Sequence, residues 1–101
     1  MEITLLYFAD CPNWKIADER LSAAVSGRAD VTAVRRRLVE TDEEAERVGF
    51  HGSPSIHVDG VDVFAAPGAP VGLACRRYLT ADGYEGAPSL EDLRAVLDRR
   101  R

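Results

Sequence analysis

The apolar run Leu5-Leu6-Tyr7-Phe8-Ala9 stops abruptly at Asp10-Cys11-Pro12-Asn13-Trp14, and no other stretch constrains the chain as much. Behind the stop, Trp14, Ala17, Leu21, Ala24 and Val25 recur at helical spacing. The pattern predicts a buried strand that ends, a cysteine at the turn, and a helix that begins beneath it. Pro12 suits a first helical turn, where its missing N–H is not needed. A thiol placed there faces free backbone N–H groups and the positive end of the helix dipole. Both favour the thiolate, the reactive form of cysteine. The competing reading of Cys11 is a small buried hydrophobe.

Ile3 to Ala9 is almost continuously apolar, which suits a central strand covered on both faces. The following helix is expected from about Pro12 to Val25, with Gly27 as the residue that ends it. Val31 to Val39 reads as the next strand, but Arg35-Arg36-Arg37 interrupts it. Arginines belong on an edge strand, where charge also blocks further pairing. Successive strand residues point to opposite faces, which disfavours reading the three as one anion site. Thr41-Asp42-Glu43-Glu44 has the capping-box pattern and opens a short helix with Ala45 and Val48 inward and Gly49 at its end. Ile56 and Val58 alternate with polar residues, as do Val61 and Val63, and Asp59-Gly60 between them signals a tight hairpin.

Residues 65–88 read as a long irregular loop carrying the second cysteine, Cys75, and loops of that length in small domains tend to be functional or disordered. Ser89 caps a last helix with Leu90, Leu93, Val96 and Leu97 on its apolar side. Arg99, Arg100 and Arg101 sit at its carbonyl end, where positive charge is favourable. A chain of 101 residues suffices for one domain with one core. Its net charge of -4 gives no basic footprint for nucleic acid. No apolar run approaches membrane-spanning length, so no membrane partner is expected. The chain opens on a strand without a charged-then-apolar leader, which points to the cytoplasm. Two cysteines are too few for a disulfide framework, and in a reducing compartment they point to catalysis, redox chemistry or metal binding.

The predicted order is strand, helix, strand, helix, strand, strand, helix, with Cys-Pro closing the first strand and Gly52-Ser53-Pro54-Ser55 opening the third. In these two separated motifs, and over most of residues 3–64 and 89–98, the chain resembles the thioredoxin-like family. It is similar in particular to small bacterial members of that family, some of which are labelled as related to alkylmercury lyase. The resemblance implies an α/β fold, a four-stranded mixed sheet flanked by helices. It makes Cys11 the nucleophile and Pro54 a cis-proline, with Ser53 offering its backbone to a bound thiol or disulfide substrate, protein or small molecule. Pro12 and Trp14 would line the same site, and no cofactor is implied. The chain departs from the family at Trp14, which stands where thioredoxins carry the second cysteine of Cys-x-x-Cys.

Without a resolving thiol inside the motif, the resolving role falls to Cys75 or to an external thiol. In a thioredoxin-like topology the long loop leaves from the same end of the sheet as Cys11, so Cys75 is expected to fold back beside it. The alternative is a loop anchor packed with Leu73 and Tyr78. Trp14 lies one helical turn past Cys11, so its ring is expected beside the thiol, the alternative being the largest core residue of its helix. Asp10 would be the acid of a lyase-like reaction, or simply a turn residue. Its charge opposes a Cys11 thiolate, and Lys15 would offset it. Two other functions compete. Two thiolates suit a soft ion such as Hg(II) or Cu(I), with His51 or His57 as further ligands. A zinc site would want four ligands, and no Cys-x-x-Cys or His-x-x-x-His spacing is present. A non-catalytic module on the same fold is the third reading.

Overall fold

Strand β1 (Glu2–Tyr7) runs through the middle of the molecule, as its apolar composition requires. The structure, a computed structural model, describes residues 1–66 and 68–100. Pro67 and Arg101, read above as loop and helix end, lie outside the described residues. After β1 come α1 (Asn13–Val25), β2 (Ala33–Leu38), α2 (Asp42–Val48), β3 (Ser55–Val58), β4 (Val61–Asp62), β5 (Tyr78–Thr80), β6 (Gly83–Glu85) and α3 (Leu90–Arg99). The main sheet has four strands in the order β2-β1-β3-β4. β1 pairs parallel with β2 and antiparallel with β3, and β3 turns back antiparallel onto β4. This is the expected mixed α/β sheet.

Strand alternation divides the core in two. Ile3 and Leu5 of β1, with Ile56 and Val58 of β3, face Ala17, Leu21 and Ala24 of α1 and Leu93 and Leu97 of α3. Leu6 faces the other way and meets Val39, Ala45 of α2 and Phe50. Helices therefore cover both faces of the sheet, and every residue of β3 is buried, its polar positions Ser55 and His57 included.

The arginine triplet sits on the edge strand, exposed and paired outward. Arg35 meets Glu2 at 3.2 Å, Arg36 meets Asp18 at 2.7 Å and Arg37 meets Glu44 at 3.5 Å. Exposed pairs of this kind contribute at most about 1 kcal/mol each. Thr41 caps α2 by accepting from the Glu44 N–H at 3.1 Å. Glu44 reaches back to the Glu40 N–H, one residue beyond Thr41, the reciprocal partner in the usual capping box. That bond, with Arg37 beside it, holds the Glu44 carboxyl below its ordinary value. Asp59 and Gly60 both adopt positive φ, 50° and 84°, the backbone a two-residue hairpin requires.

Three expectations need correction. Helix α1 begins at Asn13, with Pro12 as its N-cap and not its first residue. The second strand is Ala33–Leu38, shorter than 31–39, because the chain leaves the edge once β1 ends at Tyr7. The stretch 65–88 is not wholly irregular. It contains the β5–β6 hairpin, with Thr80 opposite Gly83 and Ala81-Asp82 at the tip. Tyr78-Leu79-Thr80 has strand-forming composition, and Asp82-Gly83 marks the turn. The hairpin is tied to α1 where Arg20 meets Glu85 and the Pro88 carbonyl, each at 3.2 Å. Among the described residues no helix is long and apolar enough to cross a membrane.

The packing predicts unequal costs for two leucines. Leu5 is fully buried and Leu79 is 66% exposed. Leu5→Ala should lower the unfolding free energy in urea by about 2–5 kcal/mol. Leu79→Ala should change it by less than about 0.5 kcal/mol. Equal losses would contradict this division of core and surface.

Candidate functional site

Cys11 ends the turn that follows β1, its N–H bonded to the Phe8 carbonyl at 3.1 Å. The side chain is fully buried. Its sulfur donates to the Ser53 carbonyl at 3.5 Å, which joins the Cys-Pro turn to the start of β3. The Ser53–Pro54 peptide bond is cis, as expected. Thus the two motifs singled out in the sequence meet. No side chain caps α1 and no acidic residue occupies its first turn, so its positive end lies unneutralised next to Cys11.

Ser53 is saturated. Its N–H donates to the Ala74 carbonyl at 2.8 Å and its carbonyl accepts the Arg76 N–H at 2.9 Å. Its hydroxyl accepts the Phe8 N–H at 3.3 Å. The bonds from Ala74 and Arg76 make a parallel bridge in which Cys75 is the residue paired with Ser53. The expected fold-back of Cys75 therefore exists. The segment 70–78 lies as a strap across the loop 50–54. Gly72 N–H donates to the Phe50 carbonyl at 3.1 Å, the His51 ring lies 3.1 Å from the Pro70 carbonyl through Nδ1, and the Tyr78 hydroxyl donates to the Pro54 carbonyl.

Side chains reinforce the strap. Arg76 forms a two-pronged pair with Asp62 of β4 at 2.7 and 3.3 Å, donates to the Ser55 hydroxyl at 3.1 Å, and stacks over the Tyr78 ring at 4.8 Å. Both members of the ion pair are nearly buried, with side-chain exposures of 11% and 6%. Burial holds the Tyr78 phenol far above its ordinary value. Gly52, at φ 102°, lies so close under the strap that a Cβ would come within 3.0 Å of the Ala74 carbonyl oxygen and 3.1 Å of the Arg76 Cβ. Only glycine fits there.

Cys75, unlike Cys11, is exposed, and both thiols are free. Cys75 holds its proton above the ordinary thiol value, first through partial desolvation and then through the charge and hydrogen bond of the Cys11 sulfur. A sulfur arriving from solvent meets Cys75 first. Beside it lies a cavity of about 350 Å³ walled by Phe64, Ala65, Ala69, Val71 and Ala74.

The remaining candidates fall outside this pair. Pro12 is exposed at the helix entry. Trp14 stacks on Tyr7, ring centroids 4.2 Å apart and planes at 22°, and packs against the main core. Those contacts fit the core-residue reading of Trp14. Asp10 and Lys15 are exposed. His57 is buried on β3 with Nε2 unpartnered, and burial holds its imidazole below the ordinary histidine value, with Asp62 opposing. Among the described residues no group of three or more His, Cys, Asp or Glu side chains could hold a metal ion. Sequence reasoning missed Gly52, Asp62, Arg76 and Tyr78 as parts of the site. Asp62 and Arg76 are 14 residues apart, and no local pattern announces their pairing.

No protein family, curated protein or solved structure matches this chain.

Two outcomes follow from the strap geometry. Gly52→Ala should push the strap off the loop, so that Cys11, protected from iodoacetamide in the parent, becomes reactive. Continued protection of Cys11 would show that the strap does not cover it. Separately, the midpoint of the pH dependence of Cys75 alkylation should lie above about 8.5, the ordinary thiol value. In Cys11→Ser it should move down, because the Cys11 sulfur that helps to raise it is gone. An unmoved midpoint would mean that the sulfurs do not interact.

Proposed function

We propose that this chain is a thioredoxin-like thiol–disulfide oxidoreductase whose working pair is Cys11 and Cys75. The observation that carries the reading is the Ser53 bridge: Cys75 is paired with Ser53, and the buried Cys11 sulfur bonds the carbonyl of that same residue. The element order, the Cys-Pro turn at the start of α1 and the cis Ser53–Pro54 bond opposite Cys11 support the family assignment. In the exchange, one thiolate attacks a substrate disulfide and forms a mixed disulfide. The second thiolate then attacks the protein-bound sulfur and displaces the remaining substrate thiolate. Two electrons pass from the dithiol to the substrate, and the protein is left with a Cys11–Cys75 disulfide. Low-molecular-weight thiols restore it by the reverse steps. Cys75 thus takes the place of the motif cysteine that Trp14 displaces.

A second reading has support from the same pair. Two adjacent thiols without a third ligand suit a two-coordinate soft ion, Hg(II) or Cu(I), better than zinc. A stoichiometric soft metal in protein purified without chelator would favour it.

Mild oxidation tests the primary reading. It should give an intramolecular Cys11–Cys75 cross-link by peptide mass spectrometry. Closing a loop of roughly sixty residues should raise the unfolding free energy by about 4 kcal/mol on the chain-entropy model. Oxidation that yields only intermolecular adducts would defeat the pair.

A further inference from the structure

We infer that Cys75 makes the first contact with substrate, that Cys11 only resolves, and that the substrates are small, uncharged disulfides rather than polypeptides. This rests on the proposed exchange chemistry and assigns its order and its substrate class.

The order follows from exposure. Cys11 is fully buried, and Cys75 is exposed at the surface of the strap above it. Cys11 exposes no surface while the Ser53 bridge, the Gly72–Phe50 bond and the Arg76–Asp62 pair hold the strap, so reaching it requires breaking bonds of the surrounding structure. An approach to Cys75 requires none of them. Once a mixed disulfide stands on Cys75, Cys11 is already beneath it, sharing Ser53 as neighbour. The Cys75 thiolate attacks one sulfur of the disulfide RSSR, the S–S bond breaks and RS⁻ leaves. The Cys11 thiolate then attacks the Cys75 sulfur, the bond to the second R–S group breaks, and a second RS⁻ leaves. The two thiol protons go to solvent or to the leaving thiolates.

The class of substrate follows from what flanks Cys75. An extended polypeptide binds a site of this kind by adding main-chain hydrogen bonds to an open edge. The groups that could offer them, the Ser53 N–H and carbonyl, are taken by Ala74 and Arg76. The chain thereby fills its own peptide position. What remains next to Cys75 is the cavity of about 350 Å³ with a mainly aliphatic wall. Its polar members are Arg76, committed to Asp62, and His51, turned through Nδ1 to the Pro70 carbonyl. Such a wall takes a small apolar body and offers a carboxylate no uncommitted arginine or lysine.

Trapping with bis(2-hydroxyethyl) disulfide tests both halves. Cys11→Ser should accumulate one stable adduct on Cys75. Cys75→Ser should label Cys11 on the order of a hundredfold more slowly, since that reaction waits for a local opening. The parent protein should pass to the Cys11–Cys75 disulfide and release two equivalents of thiol. It should reduce the small disulfide much faster than oxidised glutathione or the interchain disulfides of insulin. Equal labelling rates in the two variants, with the internal disulfide still forming in the parent, would overturn the order and leave the exchange reading standing. Insulin or oxidised glutathione reduced as fast as the small disulfide would overturn the substrate class. An adduct that persists on Cys75 in the parent, with no internal disulfide, would overturn the exchange reading and this inference with it.

Discussion

The structure of the site depends on one buried residue that is bonded through its backbone and its side chain alike. Ser53 is fully buried, and its N–H, carbonyl and hydroxyl are all bonded within the chain. A buried polar group left unpaired costs about 1–3 kcal/mol, so each of these bonds is held in place by the penalty for losing it. Through Ser53 the end of β1, the Cys11 sulfur and the strap are parts of one network. Moving any of them uncovers a polar group in a dry environment.

Charge makes the network more demanding. The Arg76–Asp62 pair joins the strap to β4 where water is largely absent. A buried ion pair adds little net stability compared with an apolar pair of the same size, but removing one partner leaves a stranded charge and costs about 3–5 kcal/mol. The pair therefore acts mainly as a register device. Arg76 cannot slide along the loop without losing Asp62, Ser55 and the Tyr78 ring at once. The register so fixed is the one that sets Cys75 opposite Ser53. Gly52 completes the arrangement by letting the strap backbone approach more closely than any side chain would allow.

How much of this was legible in the sequence depends on the range of the interaction concerned. The stop at Cys11, the cap at Thr41, the hairpin at Asp59-Gly60 and the edge arginines are short-range patterns, and each appears where the pattern puts it. The meeting of Cys11 with Ser53 was reachable only through resemblance to a known family, because 42 residues separate them. The strap was legible only as a possibility of reach. Its docking depends on backbone bonds from Ala74 and Arg76, which any residue other than proline could make, and on a salt bridge between residues that each look like surface polar groups. The β5–β6 hairpin was legible and overlooked: a three-residue strand beside an Asp-Gly turn is a weak signal next to the proline- and glycine-rich stretch that precedes it.

The two sulfurs owe their different characters to the elements that carry them. Cys11 is anchored between β1 and α1, both packed into the main core, and its position is as fixed as theirs. Cys75 is carried by a segment outside the main sheet and held by a few backbone bonds and one ion pair. Segments of that kind open locally at lower free energy than core strands and helices. Disulfide formation and cleavage need relative motion of two sulfurs, since a thiol pair and a bonded pair sit at different separations. In the exchange proposed above, a core-anchored Cys11 and a Cys75 on the strap would supply that motion without disturbing the core.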